Sequence, residues 1–217
     1  KGAAPWRIRL LSKKGIYTTY SLYNEQKYEV PDCRVKYIEG AYQTYTYWED
    51  MIPQIKNELK VKTKPSEANR LLMEEMQSCE SVCVHVRRGD YLAPEFAHLN
   101  VCDQDYYMEA MQKMKAQKPD AVFYIFTNNH KEVEWIKENY DFSGFEVRYV
   151  DLDNPDYEEL RLMYHCKNFI ISNSTYSWWG QFLSDNPHKI VMAPSVWNRE
   201  MNADGIYMPD WQVIKVK

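Results

Sequence analysis

Residues 81–91 read Ser81-Val82-Cys83-Val84-His85-Val86-Arg87-Arg88-Gly89-Asp90-Tyr91, and their reading decides how the rest of the chain is organised. A β-rich run, Ser81 to Val86, ends abruptly in two cations, a glycine and a carboxylate. Downstream, two periodicities alternate. Asp103 to Lys118 places Tyr106, Tyr107, Ala110, Met111 and Met114 at helical spacing. Ala121 to Phe126 reads as a strand, a helix starts near His130 with Val133 and Ile136 inside, and Phe145 to Val150 reads as a strand again. Pro155 to Cys166 reads as a helix carrying Leu160, Met163 and Tyr164. Phe169 to Ile171 is a short apolar strand, Thr175 to Leu183 a helix and Lys189 to Ala193 a strand. Strands alternating with helices across short loops predict an α/β fold with a doubly wound parallel sheet. Ligands of such sheets sit beyond the carboxyl ends of the strands, so the loops leaving Val86, Phe126, Val150 and Ile171 are where a site is expected.

Upstream the pattern changes. Residues 1 to about 64 are rich in Tyr, Lys and Glu, with a strand-like piece from Gly15 to Leu22 and a helix-like stretch from Glu49 to Leu59. Pro65-Ser66 then opens a helix whose Ala68, Leu71, Leu72 and Met76 share one face. No complete alternating unit fits here. The expected division is therefore an incomplete N-terminal α/β domain, residues 1–78, followed by the sheet domain, residues 79–217.

Composition narrows the classes. A net charge of -4 gives no reason to expect nucleic acid as a partner. Eighteen tyrosines and seven tryptophans offer flat rings that suit sugar faces, although rings also simply fill cores. The five cysteines, Cys33, Cys79, Cys83, Cys102 and Cys166, are odd in number and contain no Cys-x-x-Cys pair, which argues against a disulfide framework and a zinc site. A reducing compartment is the expectation. No apolar run approaches the roughly 20 residues of a membrane-spanning helix.

Two segments carry chemistry. In the first, Arg87 and Arg88 can present planar cationic forks to a phosphate. Gly89 permits a turn other residues resist, and His85 and Asp90 supply a titratable base and a carboxylate beside it. The second, Ser172-Asn173-Ser174-Thr175-Tyr176-Ser177-Trp178-Trp179-Gly180, follows the strand at 169–171. Its hydroxyl and amide groups open a helix, where unpaired N–H groups and the helix dipole favour an anion. Asn173-Ser174-Thr175 is formally a glycosylation sequon, but its position at a strand-to-helix turn argues for coincidence. On different strands of one sheet, the two segments would converge on a diphosphate.

Together the segments resemble glycosyltransferase family 11, the α-1,2-fucosyltransferases. The closing stretch, with Pro194, Trp197, Tyr207, Pro209, Asp210-Trp211 and Ile214, is similar to that family's tail. The resemblance implies a GT-B architecture of two Rossmann-like domains with GDP-fucose held by the second. It also implies an inverting, metal-independent transfer to a galactoside 2-hydroxyl. Carried over, Arg87 and Arg88 hold the diphosphate with His85 beside them, and Asn173, Ser174 and Thr175 add donors. Phe126-Thr127-Asn128-Asn129 stands where the family has a Ser-Asp-Asp-like loop, which makes Asn128 a donor-site candidate. Glu159 stands where a carboxylate would read guanine. Inversion implies a single displacement, with Arg87 stabilising the leaving diphosphate and Asp90 or Glu95 as base, His85 being the third option. No cofactor or metal is expected. Asp151-Leu152-Asp153 is the kind of pair that binds manganese elsewhere, but nothing in the resemblance requires it.

The implied partners are GDP-fucose and a galactose-terminated glycan, with peripheral membrane association in view. The implied location is cytoplasmic for a bacterial enzyme and the Golgi lumen for an animal one. Three other readings stand beside this one: a fucosyltransferase of α-1,6 or protein-directed linkage, a donor-binding protein without activity, and an adhesion protein presenting Arg88-Gly89-Asp90.

Overall fold

The computed structural model describes residues 5–18, 37–39, 43–200 and 203–217. They fall into two compact units, Lys1–Ile52 with Asn198–Pro209 and Pro53–Trp197 with Asp210–Lys217. In the smaller unit, α1 (Pro5–Ser12) leads into β1 (Ile16–Thr18), which pairs in parallel with β2 (Tyr37–Glu39). Residues 19–22 of the strand expected from Gly15 to Leu22, and Cys33, lie outside the described residues. The helical stretch expected at Glu49 to Leu59 is a 3-10 turn, Glu49–Met51, running into α2 (Ile52–Leu59).

The larger unit holds α2 from Pro53 onward, then α3 (Glu67–Ser78) and β3 (Glu80–His85), followed by α4 (Gln104–Gln117) and β4 (Ala121–Phe126). Then come α5 (His130–Asn139), β5 (Glu146–Tyr149), α6 (Asp156–His165) and β6 (Asn168–Ile170). It closes with α7 (Thr175–Leu183), β7 (Val191–Pro194) and β8 (Gln212–Ile214). The six strands form one parallel sheet in the order β5-β4-β3-β6-β7-β8. From β3 the chain steps outward through β4 to β5, then returns to the other flank of β3 with β6 and steps outward again. The winding direction reverses between β3 and β6. Loops leaving those two strands diverge there and open a crevice at the carboxyl end. The doubly wound α/β expectation is met, and its two motifs leave the two strands that flank the reversal.

Strand alternation sorts the side chains between the two faces. Val82, Val84, Val86, Phe123 and Ile125 join the α4 residues Tyr106, Tyr107, Ala110, Met111 and Met114 and the α5 residue Ile136 in one buried cluster. Ser81, Cys83 and His85 are buried on the other face, where α3, α6 and α7 pack on one another. Gly180 permits the α6–α7 contact. A Cβ there would stand 2.9 Å from Met163 Cε and 3.2 Å from Met163 Cβ. Trp178 and Phe182, whose rings stack with centroids 4.9 Å apart, are both buried.

Two helices bury other faces than expected. On α3, Leu71 is exposed, while Asn69 and Met76 are buried. Asn69 turns inward because its side-chain N–H₂ bonds Asn154 Oδ1 at 3.0 Å and Glu158 Oε2 at 3.1 Å, which rotates the helix away from an all-apolar face. On α6, Glu158 and Arg161 are buried with Met163 and Tyr164. Their 3.1 Å ion pair and the bonds from Arg161 to Thr63 compensate the desolvation.

Candidate functional site

At the reversal lies a cleft of about 490 Å³ lined by residues from four loops. The β3 loop brings His85, Arg87, Asp90 and Tyr91, and the β4 loop brings Thr127 and Asn128. The start of α6 brings Asp156 and Glu159, and the β6–α7 turn brings Ser174, Thr175 and Tyr176. A larger cavity of about 730 Å³ is lined by Lys60, Met73, Gln77, Arg161, His165 and Lys167 among others. The smaller cleft is the candidate site because it alone occupies the crevice where such sheets bind ligands and gathers both motifs.

The β3 loop is built around charge. Arg87 pairs with Asp90 through Nη2 at 2.8 Å and lies 5.4 Å from the centroid of Tyr91. Its Nε is buried without a hydrogen-bond partner, leaving donor capacity on a permanently charged fork. Gly89 has φ +51°, and a Cβ there would meet Asn128 Nδ2 at 3.0 Å and Cγ at 3.2 Å. Asn128 Oδ1 accepts the Arg88 backbone N–H at 3.1 Å, so the β4 loop fastens the β3 loop at its turn.

The β6–α7 turn is built around buried hydroxyls and open backbone. His85 is 3% exposed, and its Nδ1 is bonded to Ser177 Oγ and, at 3.1 Å, to Ser172 Oγ. Burial first, and the Arg87 charge second, push its pKa down to about 3. The imidazole is therefore neutral at any working pH and is a weak base. Ser174 occupies the N-cap of α7, yet its side chain makes no capping bond. The first N–H groups of the helix thus have no cap from Ser174, and the positive end of the dipole stands behind them.

The start of α6 contributes acids. Asp156 and Glu159 are one turn apart on the same helix face. Burial, and then the neighbouring Asp156, raise the Glu159 carboxyl to about 7. Tyr176 donates its hydroxyl to the Asp156 backbone carbonyl at 2.5 Å, and its ring lies 5.7 Å from His85. One cleft thus offers a cation and a helix start that suit an anion, together with two carboxyls that suit a donor-rich group.

Of the residues expected at the site, His85, Arg87, Asp90, Asn128, Glu159, Ser174 and Thr175 line this cleft. Arg88, Glu95 and Asn173 are not among its lining residues. Arg88 turns toward α5, where its Nε bonds Glu132 Oε2 at 2.7 Å. Glu95 is exposed on the 3-10 turn Pro94–Leu99. Asn173 is buried and spends its amide on the carbonyls of Leu99 and Trp197, at 2.8 and 2.9 Å, so the sequon there is a structural tie. Tyr91, Thr127, Asp156 and Tyr176 complete the lining and were not singled out from the sequence. Tyr91 and Tyr176 stood inside the two motifs, and Asp156 one turn before Glu159. In the Arg88-Gly89-Asp90 tripeptide, Arg88 is held against α5 and the exposed Asp90 is paired to Arg87, so the two charges are already engaged, unlike those of an adhesive loop tip. Among the described residues, His130, Glu134 and Asp151 stand close enough to share an ion, all three exposed; Asp153 is not in the group. His130 Nδ1 bonds Asp151 at 2.6 Å, and Glu134 pairs with Lys137.

The chain is similar to several known proteins. The Escherichia coli O-antigen biosynthesis glycosyltransferase WbnK is 30% identical over 141 residues, covering 62% of this chain and 45% of the relative. An E. coli α-1,2-colitosyltransferase is 32% identical over 140 residues, 61% of this chain and 47% of the relative. Human galactoside α-(1,2)-fucosyltransferase 1 is 27% identical over 138 residues, 60% and 37% respectively. The matches thus span less than half the length of these relatives. Among solved structures, E. coli ADP-heptose LPS heptosyltransferase II superposes on 70% of this chain and 44% of its own at 12% identity and TM-score 0.42. The fold assignment rests on the strand order and not on that likeness. The sequence profile of Glycosyl transferase family 11 matches residues 12–215, and the chain belongs to that family.

Proposed function

We propose that this chain carries the donor site of an inverting fucosyltransferase that moves L-fucose from GDP-β-L-fucose to the 2-hydroxyl of a terminal galactoside. The observation that carries the reading is the bipolar cleft: Arg87 and the uncapped start of α7 share one cavity with Asp156 and Glu159. A guanosine diphosphate has the matching halves, an anionic diphosphate and a base edge with adjacent N–H donors. The names of the relatives support transfer in an α-1,2 linkage, in one of them to a galactoside.

In this reading Arg87 and the α7 N–H groups take up the charge that grows on the leaving diphosphate, work for which fixed dipoles and cations need no metal ion. The acceptor oxygen forms its bond to C1 as the C1–O bond to phosphate breaks, GDP departs, and the acceptor proton passes to a carboxylate. Asp90 is the best-placed base. It lines the cleft, whereas Glu95 does not and His85 is held neutral with Nδ1 engaged. A diphosphate competing for the Arg87 fork releases Asp90 from its ion pair, tying the freeing of the base to donor binding. Glu159 reads the guanine donors in its ionised form.

A second reading changes only the donor sugar. One relative is named a colitosyltransferase, and colitose is fucose without its 3-hydroxyl. The test is incubation with GDP-fucose, a β-galactoside and a chelator, with the product read by NMR. An α-L-fucoside at O2 is expected. A β-fucoside would overturn inversion, another linkage would overturn the acceptor assignment, and preference for the 3-deoxy donor in competition would favour colitose.

A further inference from the structure

We propose that Arg88 is a positioning residue that holds the Arg87 loop from behind the cleft and does not touch the diphosphate. The proposal rests on the reading of the cleft as a GDP site and assigns the two adjacent arginines different work. Where Arg87 lines the cleft, Arg88 points to α5.

Three attachments fix it there. Its guanidinium sits over the Trp135 ring, with Cζ 3.1 Å from the ring centroid. Its Nε bonds Glu132 at 2.7 Å, and the two side chains are only 14% and 18% exposed. In addition, its backbone N–H is held by Asn128, the residue that crowds Gly89. Reaching a phosphate would require Arg88 to abandon a largely buried carboxylate and unstack from Trp135, and a buried acid left unpaired is costly. The arrangement instead makes α5 an anvil. Glu132 and Trp135 grip Arg88, Asn128 grips the turn, and Arg87 is thereby presented to the ligand.

The two roles predict opposite signs for one mild substitution. If Arg88 were a phosphate ligand, Glu132→Gln would free its charge, and GDP would bind as tightly or more tightly. As a positioning residue, Arg88 loses its anchor in Glu132→Gln, and GDP affinity should fall by about fivefold to tenfold. Arg88→Lys keeps the charge but cannot form the planar stack. It should lose as much GDP affinity as Arg88→Met, whereas a ligand role predicts that Lys restores binding. The effect should also run through Arg87. In an Arg87→Ala background, Glu132→Gln should change GDP affinity by less than about twofold, a non-additivity that a general loss of stability would not produce. Calorimetric titration of these variants, with melting curves to confirm folding, tests the proposal. Unchanged or tighter binding in Glu132→Gln, or rescue by Arg88→Lys, overturns it while the GDP site stands. Failure of the unsubstituted protein to bind GDP removes the site and this proposal with it.

Discussion

The two loops that meet at the cleft are built in opposite ways. In the β3 loop the group facing the cleft is a side-chain charge. Arg87 is presented on a turn that needs Gly89 at positive φ and is fastened from outside by Asn128. In the β6–α7 turn Ser172, Asn173 and Ser177 face inward, Ser174, Thr175 and Tyr176 line the cleft, and the start of α7 adds backbone donors that no side chain caps. The first loop supplies strength and depends on tertiary support. The second supplies a fixed dipole that comes with the helix itself.

That contrast can be broken or sharpened by substitution. The largest effect belongs to the charged loop. Arg87→Ala should weaken GDP binding about 100-fold, the worth of two charge-assisted hydrogen bonds, with little change in melting temperature. A loss below about fivefold would mean that the helix dipole alone holds the anion.

The buried side of the second loop should appear in acid. His85 has a folded pKa of about 3 against an ordinary 6.5, so between those values the unfolded chain takes up a proton that the fold refuses. Stability must therefore fall as pH drops below 6.5, by about 2 kcal/mol between pH 7 and pH 5 from this group. His85→Gln, measured by urea unfolding at both pH values, should lose that part of the slope.

Gly89→Ala should cost about 1–2 kcal/mol through the left-handed backbone and the contact with Asn128. Asn128→Ala beside it should recover part of the loss by removing the crowding atoms. The smallest effect is expected at Ser174. An engaged N-cap serine is worth about 1 kcal/mol, but this one caps nothing, so Ser174→Ala should leave thermal stability within about 0.5 kcal/mol. GDP binding should nevertheless weaken a few-fold if the hydroxyl points to the ligand.

Much of this was legible in the sequence because it is local. The change of period from strand to helix marked β3 to α7, and the apolar spacing of α4 named all five of its buried side chains. That the two motifs leave different strands of one sheet was legible as well, but that those strands are neighbours is seen only in the strand order. What stayed hidden depends on partners far along the chain. Arg88 cannot be told from Arg87 until Glu132 and Trp135 are seen behind it. The buried face of α3 is rotated by Asn69 reaching Asn154 and Glu158, and the α6 interior contains an ion pair that no hydrophobic pattern announces. β8 is a three-residue edge strand, too short for alternation to register.

The central claim is that the cleft holds a guanosine diphosphate without metal. It is tested most directly by calorimetric titration of GDP against ADP and UDP in chelator, at pH 8, where Glu159 is ionised. The account predicts binding of GDP at least about tenfold tighter than either control, as a carboxylate that accepts the guanine donors requires. Equal binding of the three nucleotides, or binding of GDP only after a divalent ion is restored, would contradict it.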